Sequence, residues 1–194
     1  MPKVKDVFNT LESLAPTSLA LSYDNVGILV GDENASVSKI LVALDITHEI
    51  IDEAVSCGTD LIVAHHPVIF DKLAYVTAQD LQGGRVMALI KNGISAICMH
   101  TNLDAARGGV NDALAAALGL SEMQVIEKIG DCGIGRVGVI PEISFDDFLT
   151  RTMRKLNCNG ARYCKERERV SHVAVGGGSC GDFLEDVARR GCDT

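Results

Sequence analysis

Two adjacent histidines stand at the end of an apolar run. The run is Leu61-Ile62-Val63-Ala64, the pair is His65-His66, and Pro67 follows. A second run, Ile94 to Met99, leads into His100-Thr101-Asn102-Leu103-Asp104. Short apolar, partly β-branched stretches bounded by turn formers read as buried strands. Ligands of α/β folds gather at the C-terminal ends of parallel strands, so the two imidazoles and the Asp104 carboxylate can meet on one edge. That donor set suits divalent zinc, iron, nickel or manganese. Neighbouring side chains on an extended strand point opposite ways, so His65 and His66 can share a site only if the strand stops before them and the chain turns at Pro67. The plainer reading is one buried, hydrogen-bonded histidine beside an exposed one. The residues alone leave both readings open.

Other candidates carry less. His100 lies four residues before Asp104; it either orients a ligand or water beside a metal or is a satisfied structural histidine. His48 and His172 open a helix and a strand and read as structural or surface residues. Gly176-Gly177-Gly178-Ser179 precedes a helix, where free N–H groups can cradle a phosphate. It lacks the lysine of a phosphate-binding loop, which favours a plain tight turn, and Gly108-Gly109 has the same ambiguity. Asp104 followed by Arg107 reads as helix-start electrostatics.

The elements that must position these residues alternate. Val4, Val7, Phe8, Leu11 and Leu14 recur at helical spacing, and Pro16 ends that helix. Strands are expected at Asn25–Val30 and Lys39–Leu44. Thr47 caps a helix to about Ser56, which Gly58 stops. After the histidine strand, Gly83-Gly84 precedes a helix running to Lys91. The Asp104 strand follows, and then a helix with Val110, Ala113, Leu114, Ala117 and Leu118 on one face. Strand–helix alternation of this kind builds an α/β sheet. Beyond Gly119 the chain becomes glycine-rich. Strands are expected at Arg136–Ile140, Ala161–Lys165 and His172–Val175, with a helix from the N-cap Ser144 to about Leu156. We set a boundary near Glu122–Gly130, giving a first α/β domain over residues 1–125 and a second over 126–194.

Composition bounds the partners. The 194 residues carry a net charge of −8, against a surface built for nucleic acid, which needs clustered Lys and Arg. The basic stretch Arg162–Arg169 is broken by Glu166 and Glu168 and reads as a solvated strand or hairpin. No apolar stretch reaches the roughly 20 residues that span a membrane, and the N-terminus has no signal-peptide core. Seven scattered cysteines without CxxC spacing fit reduced thiols of a cytoplasmic protein, with Cys98 a core residue.

Leu41–Asp60 and Val173–Asp193 share an order: strand, turn, helix, then Cys57-Gly58-Thr59-Asp60 in one and Gly191-Cys192-Asp193 in the other. Either the chain repeats internally or both stretches follow ordinary βαβ grammar. The first copy continues into the histidine strand. The second stops at Thr194, so we expect the sequence to be part of a longer chain.

The runs YDNVGILVGD (Tyr23–Asp32), LIVAHHPVIF (Leu61–Phe70) and HTNLDAARGGVNDALAAALGL (His100–Leu120) resemble the Nif-three-like family, often labelled GTP cyclohydrolase I type II homologues. The resemblance covers essentially the whole chain. It implies two related α/β domains with mixed or parallel sheets, a ring-shaped homo-oligomer, commonly a hexamer, and a centre of two divalent metal ions. In that arrangement His65 binds one metal, His66 the other, and Asp104 binds or bridges. The family's remaining ligands, a His and a Glu four residues apart near the C-terminus, have no counterpart after Asp104, since His172 is followed at that spacing by Gly176. Tyr23 stands where the family usually has Trp. The function implied is a metal-dependent hydrolase acting on a nucleotide-like small molecule, as a GTP cyclohydrolase does. The alternatives are a metal-dependent phosphoesterase on nucleotides and a non-catalytic metal-binding assembly or partner-interaction protein.

Overall fold

The structure is a computed structural model that describes all residues from Met1 to Thr194. It divides into two compact units, Met1–Leu103 and Asp104–Thr194.

The first unit holds α1 (Val4–Leu14), β1 (Gly27–Val30), β2 (Ile40–Ala43), α2 (His48–Cys57), β3 (Leu61–Ala64), α3 (Leu81–Lys91) and β4 (Ser95–Cys98). Its sheet runs β1-β4-β3-β2. β2, β3 and β4 are parallel, while β1 pairs antiparallel with β4. The sheet is therefore mixed. Local signals place α2: the Thr47 side chain accepts from Ile50 N, and Gly58 closes the helix in the left-handed conformation. The core gathers Ile62 and Ala96 from the strands with Ile51, Ala54, Val86 and Leu89 from α2 and α3. α3 begins earlier than expected and contains Gly83 and Gly84. The reason is steric, since a Cβ on Gly83 would lie 2.9 Å from the carbonyl oxygen of Tyr75. The glycines let the 75–78 loop cross the helix.

The short α4 (Thr101–Ala105) runs across the division. The second unit continues with α5 (Val110–Leu118), β5 (Ser121–Ile129), β6 (Cys132–Ser144), α6 (Phe145–Lys155), β7 (Arg169–Val175) and α7 (Leu184–Arg189). Its antiparallel sheet runs β5-β6-β7. Leu118, Phe145 and Phe148 pack there on Ile140, Val170 and Val173. Ser144 caps α6 by accepting from Asp147 N. Two expectations change. The strand expected at Arg136–Ile140 is a 13-residue strand whose hairpin partner, β5, has no apolar alternation. The strand expected at Ala161–Lys165 is irregular, exposed chain; its charged side chains have no sheet face to cover. No helix is long and apolar enough to cross a membrane.

The two stretches that share a sequence order also share hydrogen bonds. Gly58 N and Thr59 N return to Val55 O and Ala54 O at the end of α2; Gly191 N and Cys192 N return to Ala188 O and Val187 O at the end of α7. Asp60 N then donates to Lys39 O, and Asp193 N to His172 O.

Candidate metal centre

β3 and β4 lie in register, with Ala64 opposite Cys98, and Ala43 of β2 lies opposite Ala64. Two residues past these three strand ends stand Asp45, His66 and His100. The backbone ladder holds them there. His65 N donates to Ala43 O, His66 N to Leu44 O, and Met99 N to Ala64 O. The thiol of Cys98 donates to His65 O over 2.9 Å. β3 stops at Ala64 and the chain bends through His65 and His66. This breaks the alternation that would separate the pair and leaves their ring centroids 5.1 Å apart. His100 stands 5.1 Å from His65 and 5.6 Å from His66 by the same measure. One ligand atom from each of the three imidazoles lies within 4.8 Å of the other two.

Each ring is fixed through Nδ1. His65 Nδ1 donates to Met99 O over 2.9 Å, His66 Nδ1 to Asp45 Oδ1 over 2.8 Å, and His100 Nδ1 to Asp24 Oδ1 over 2.9 Å. A carbonyl and two carboxylates can only accept, so Nδ1 carries the proton in all three rings. In the neutral tautomer the lone pair then belongs to Nε2. Metal-binding histidines show this same anchoring of the second nitrogen. The donor set therefore fits a divalent ion.

The two carboxylates differ in setting. Asp45 and His66 are about half exposed, whereas the Asp24 side chain is fully buried. Burial pushes the Asp24 carboxyl upward, but hydrogen bonds from His100, Thr101 and Asn25 outweigh it and hold the group below the usual carboxylate range. Asp24 accepts from both the backbone N and the hydroxyl of Thr101, so it fixes His100 and the start of α4 together. Beside His65 runs an apolar cleft of about 380 Å³, lined by Val7, Leu11, Val42, Val63 and Met99 among others.

Of the three metal candidates expected from the sequence, His65 and His66 sit side by side. Asp104 is one turn into α4 rather than at a strand end, is nearly buried, and belongs to the second unit. There its backbone carbonyl accepts from the Asn111 side chain, whose Oδ1 accepts from Gly177 N. That bond engages the second N–H, that of Gly177, in the glycine run Gly176–Ser179 suggested as a phosphate cradle. His172 is exposed on β7 and His48 opens α2. The sequence reading treated His100 as an orienting or structural residue and missed Asp24 and Asp45. The signal for His100 and Asp45 is register: each follows an apolar parallel strand by the same two residues. Asp24 has no such signal.

A mixed-sheet α/β unit carrying a histidine cluster able to hold a metal defines a broad class of protein. Within it, this chain belongs to the Duf34/NIF3 (NGG1p interacting factor 3) family, whose model matches residues 2–194. It is 37% identical over 197 residues to the GTP cyclohydrolase 1 type 2 homolog of Clostridium acetobutylicum, covering 98% of this chain and 74% of that protein. The protein of the same name from Streptomyces coelicolor is 36% identical, with 100% of this chain and 71% of the relative covered. Among solved structures, the Staphylococcus aureus hypothetical protein SA1388 superposes with a TM-score of 0.90 at 28% identity, covering 98% of this chain and 77% of that one. A Bacillus cereus protein related to NIF3 shares the fold, with a TM-score of 0.91 at 24% identity over 99% of this chain and 81% of its own.

Proposed function

We propose that this protein is a divalent-metal-dependent hydrolase acting on a nucleotide-like small molecule, in the manner that its relatives' name, GTP cyclohydrolase 1 type 2 homolog, describes. The observation that carries the reading is the anchoring of three clustered imidazoles by acceptors at Nδ1. His65 and His66 supply ligands, and Asp104 supplies the carboxylate of the complete, two-ion centre. A bound divalent ion lowers the pKa of water and polarises the group under attack. The chain's own contribution is to hold and orient. Met99 O, Asp45 and Asp24 fix the ring tautomers, and the packed strand ends beneath keep the imidazoles from turning away. The reading includes a cytoplasmic homo-oligomer, in keeping with the 80% exposure of Val42 on the edge strand β2, apolar surface that a second copy would cover.

The test is metal content by elemental mass spectrometry together with hydrolysis assays on GTP and on a simple phosphodiester, for the parent and His65→Ala. Metal-dependent turnover of GTP that the variant loses is the expected result. Turnover of the diester alone would move the assignment to a phosphoesterase. Metal binding without turnover of either substrate would leave a non-catalytic metal-binding assembly.

A further inference from the structure

We propose that Phe70 and Tyr23 form a stacking platform for the flat heteroaromatic base of a nucleotide, at the rim of the histidine cluster. The inference rests on the metal-dependent reading above and deepens it by saying which part of the substrate the rim takes.

The sequence supplies few aromatic side chains: five phenylalanines, three tyrosines and no tryptophan. Phe70 is the only exposed phenylalanine, at 43%, and Tyr23 beside it is 66% exposed. A tyrosine can offer water its hydroxyl, but phenylalanine has no polar atom and gains nothing from facing solvent. The chain on either side imposes the exposure. Val68 is buried in the core, Ile69 packs against that core, and the Asn25 side chain donates to Ile69 O over 2.6 Å. Tyr23 sits in a turn closed by Asp24 N donating to Leu21 O. Asp24 in turn accepts from the His100 ring and from Thr101 N. The residue that orients His100 therefore also holds Tyr23 in place, and Asn25 ties that turn to the segment bearing Phe70.

The rings meet at steep angles. Phe70 lies 6.5 Å from Tyr23 at 66° and 6.2 Å from His100 at 85°. Neither neighbour is parallel to Phe70, so neither stacks on it, and its exposed surface is open to a planar ligand. A base stacked there lies alongside His100, next to the cluster. Stacking tolerates any base, because every base has a π-face. The platform thus selects for the presence of a base and not for guanine over adenine. All of these residues belong to the first unit.

The experiment uses Tyr23→Trp in the full chain, whose single indole then reports on the platform. Phe70→Leu and Phe70→Tyr are added in that background. Each protein is titrated by fluorescence with guanosine 5′-monophosphate, adenosine 5′-monophosphate and ribose 5-phosphate, with and without zinc. Metal content is measured separately by elemental mass spectrometry. We expect both nucleotides to quench the indole with affinities within a few-fold of each other. Ribose 5-phosphate, which has no base, should leave it unquenched. Phe70→Leu keeps apolar bulk without a π-face and should weaken both nucleotides about tenfold, whereas Phe70→Tyr should keep the affinity. No quenching by either nucleotide would overturn the platform and, with metal content normal, leave the metal-dependent reading standing. So would undiminished affinity in Phe70→Leu, or equal quenching by ribose 5-phosphate. A parent chain that takes up no metal would instead overturn the metal-dependent reading, whatever the nucleotides do.

Discussion

Asp60 and Asp193 close equivalent turns in the two units with the same set of hydrogen bonds. Asp60 Oδ2 accepts from Ser38 N, Ser38 Oγ and Lys39 N at 2.7, 2.7 and 3.0 Å. Asp193 Oδ2 accepts from Ser171 N, Ser171 Oγ and His172 N at 2.9, 3.1 and 2.9 Å. In each case the carboxylate follows a helix closed by a left-handed glycine, Gly58 or Gly191, and ties the chain to the preceding strand, just ahead of β2 in the first unit and within β7 in the second. Asp193 is followed by Thr194, whose carbonyl accepts from Ala174 N of β7. Shared order in the sequence thus corresponds to shared hydrogen bonding in the fold, beyond what a generic βαβ pattern requires.

Hydrogen bonds to a charged acceptor contribute about 1.5–3 kcal/mol each when well buried, and less at a partly exposed site. Replacing either aspartate by alanine should therefore lower stability by about 1–2 kcal/mol, read as a shift of the urea midpoint. The effect should depend on pH. The Asp60 carboxyl lies below its ordinary value of 3.8 because Ser38 and Lys39 donate to it. Burial raises the Asp193 carboxyl, but His172 and Ser171 donate strongly enough to leave it below that value too. The native state thus binds fewer protons than the unfolded chain. The stability is fully present above about pH 4 and is lost as pH falls through the depressed native values. The difference between parent and variant should shrink in acid; a gap of unchanged size at pH 2–3 would refute the assignment.

Asp45 and Asp24 act on the imidazoles from outside the cluster, and their loss should separate. Removing an outer carboxylate partner of a metal-bound histidine costs 10–100-fold in affinity. Asp45→Ala should reach that range for zinc with little change in stability, because its pair with His66 is solvent-exposed and such pairs contribute little. Asp24→Ala should weaken zinc and also destabilise the fold by about 2–3 kcal/mol, since Thr101 N loses its buried charged acceptor. Isothermal titration beside thermal melts distinguishes the two.

Much of this was readable in advance where the signal is local. Thr47, Ser144 and Gly58 announce helix ends because capping depends on one side chain and its own neighbours. The adjacent histidines after a β-branched run announce a strand-end site for the same reason. β5 was invisible because Ile126 is its only buried residue; its pairing comes from backbone contact with β6, which leaves no mark in hydrophobic period. α3 was shortened because glycine is a poor helix former, and only the crossing loop explains why glycine is needed there. The anchor of His100 could not be read at all, because Asp24 lies 76 residues away in the chain and sits in a loop without periodicity.

Gly31 tests close packing under β4. Its φ is +107°, and a Cβ there would stand 2.2 Å from Ser95 Oγ and 2.8 Å from Ser95 Cα. Ser95 is itself buried, so neither partner can withdraw. Gly31→Ala should cost more than about 2 kcal/mol by combining backbone strain with overpacking. A thermal melt within a degree or two of the parent would count against it.

The thiols should divide by environment. Burial, reinforced by the charge of Asp24, pushes the Cys98 thiol up to about 12, so it carries almost no thiolate at pH 8 and cannot compete as a nucleophile. Cys57, Cys158 and Cys164 are exposed. Brief iodoacetamide treatment of the native protein at pH 8, followed by peptide mass spectrometry, should label those three and spare Cys98 until denaturant is added.

Asn111 joins three segments of the second unit through one side chain. It is fully buried; its amide nitrogen donates to Asp104 O at 2.9 Å and its oxygen accepts from Gly177 N at 2.9 Å. Alanine would leave a buried carbonyl and a part-buried N–H without this partner, and such a loss costs about 1–3 kcal/mol when buried and less when partly exposed. Aspartate would keep the acceptor for Gly177 but set a charged oxygen against the Asp104 carbonyl. Asn111→Ala should therefore destabilise by about 2–4 kcal/mol, and Asn111→Asp should be no better despite its matching size. Denaturant midpoints of the two variants check this. If the aspartate variant is as stable as the parent, the donation to Asp104 contributes nothing, and Asn111 serves only to hold the glycine loop.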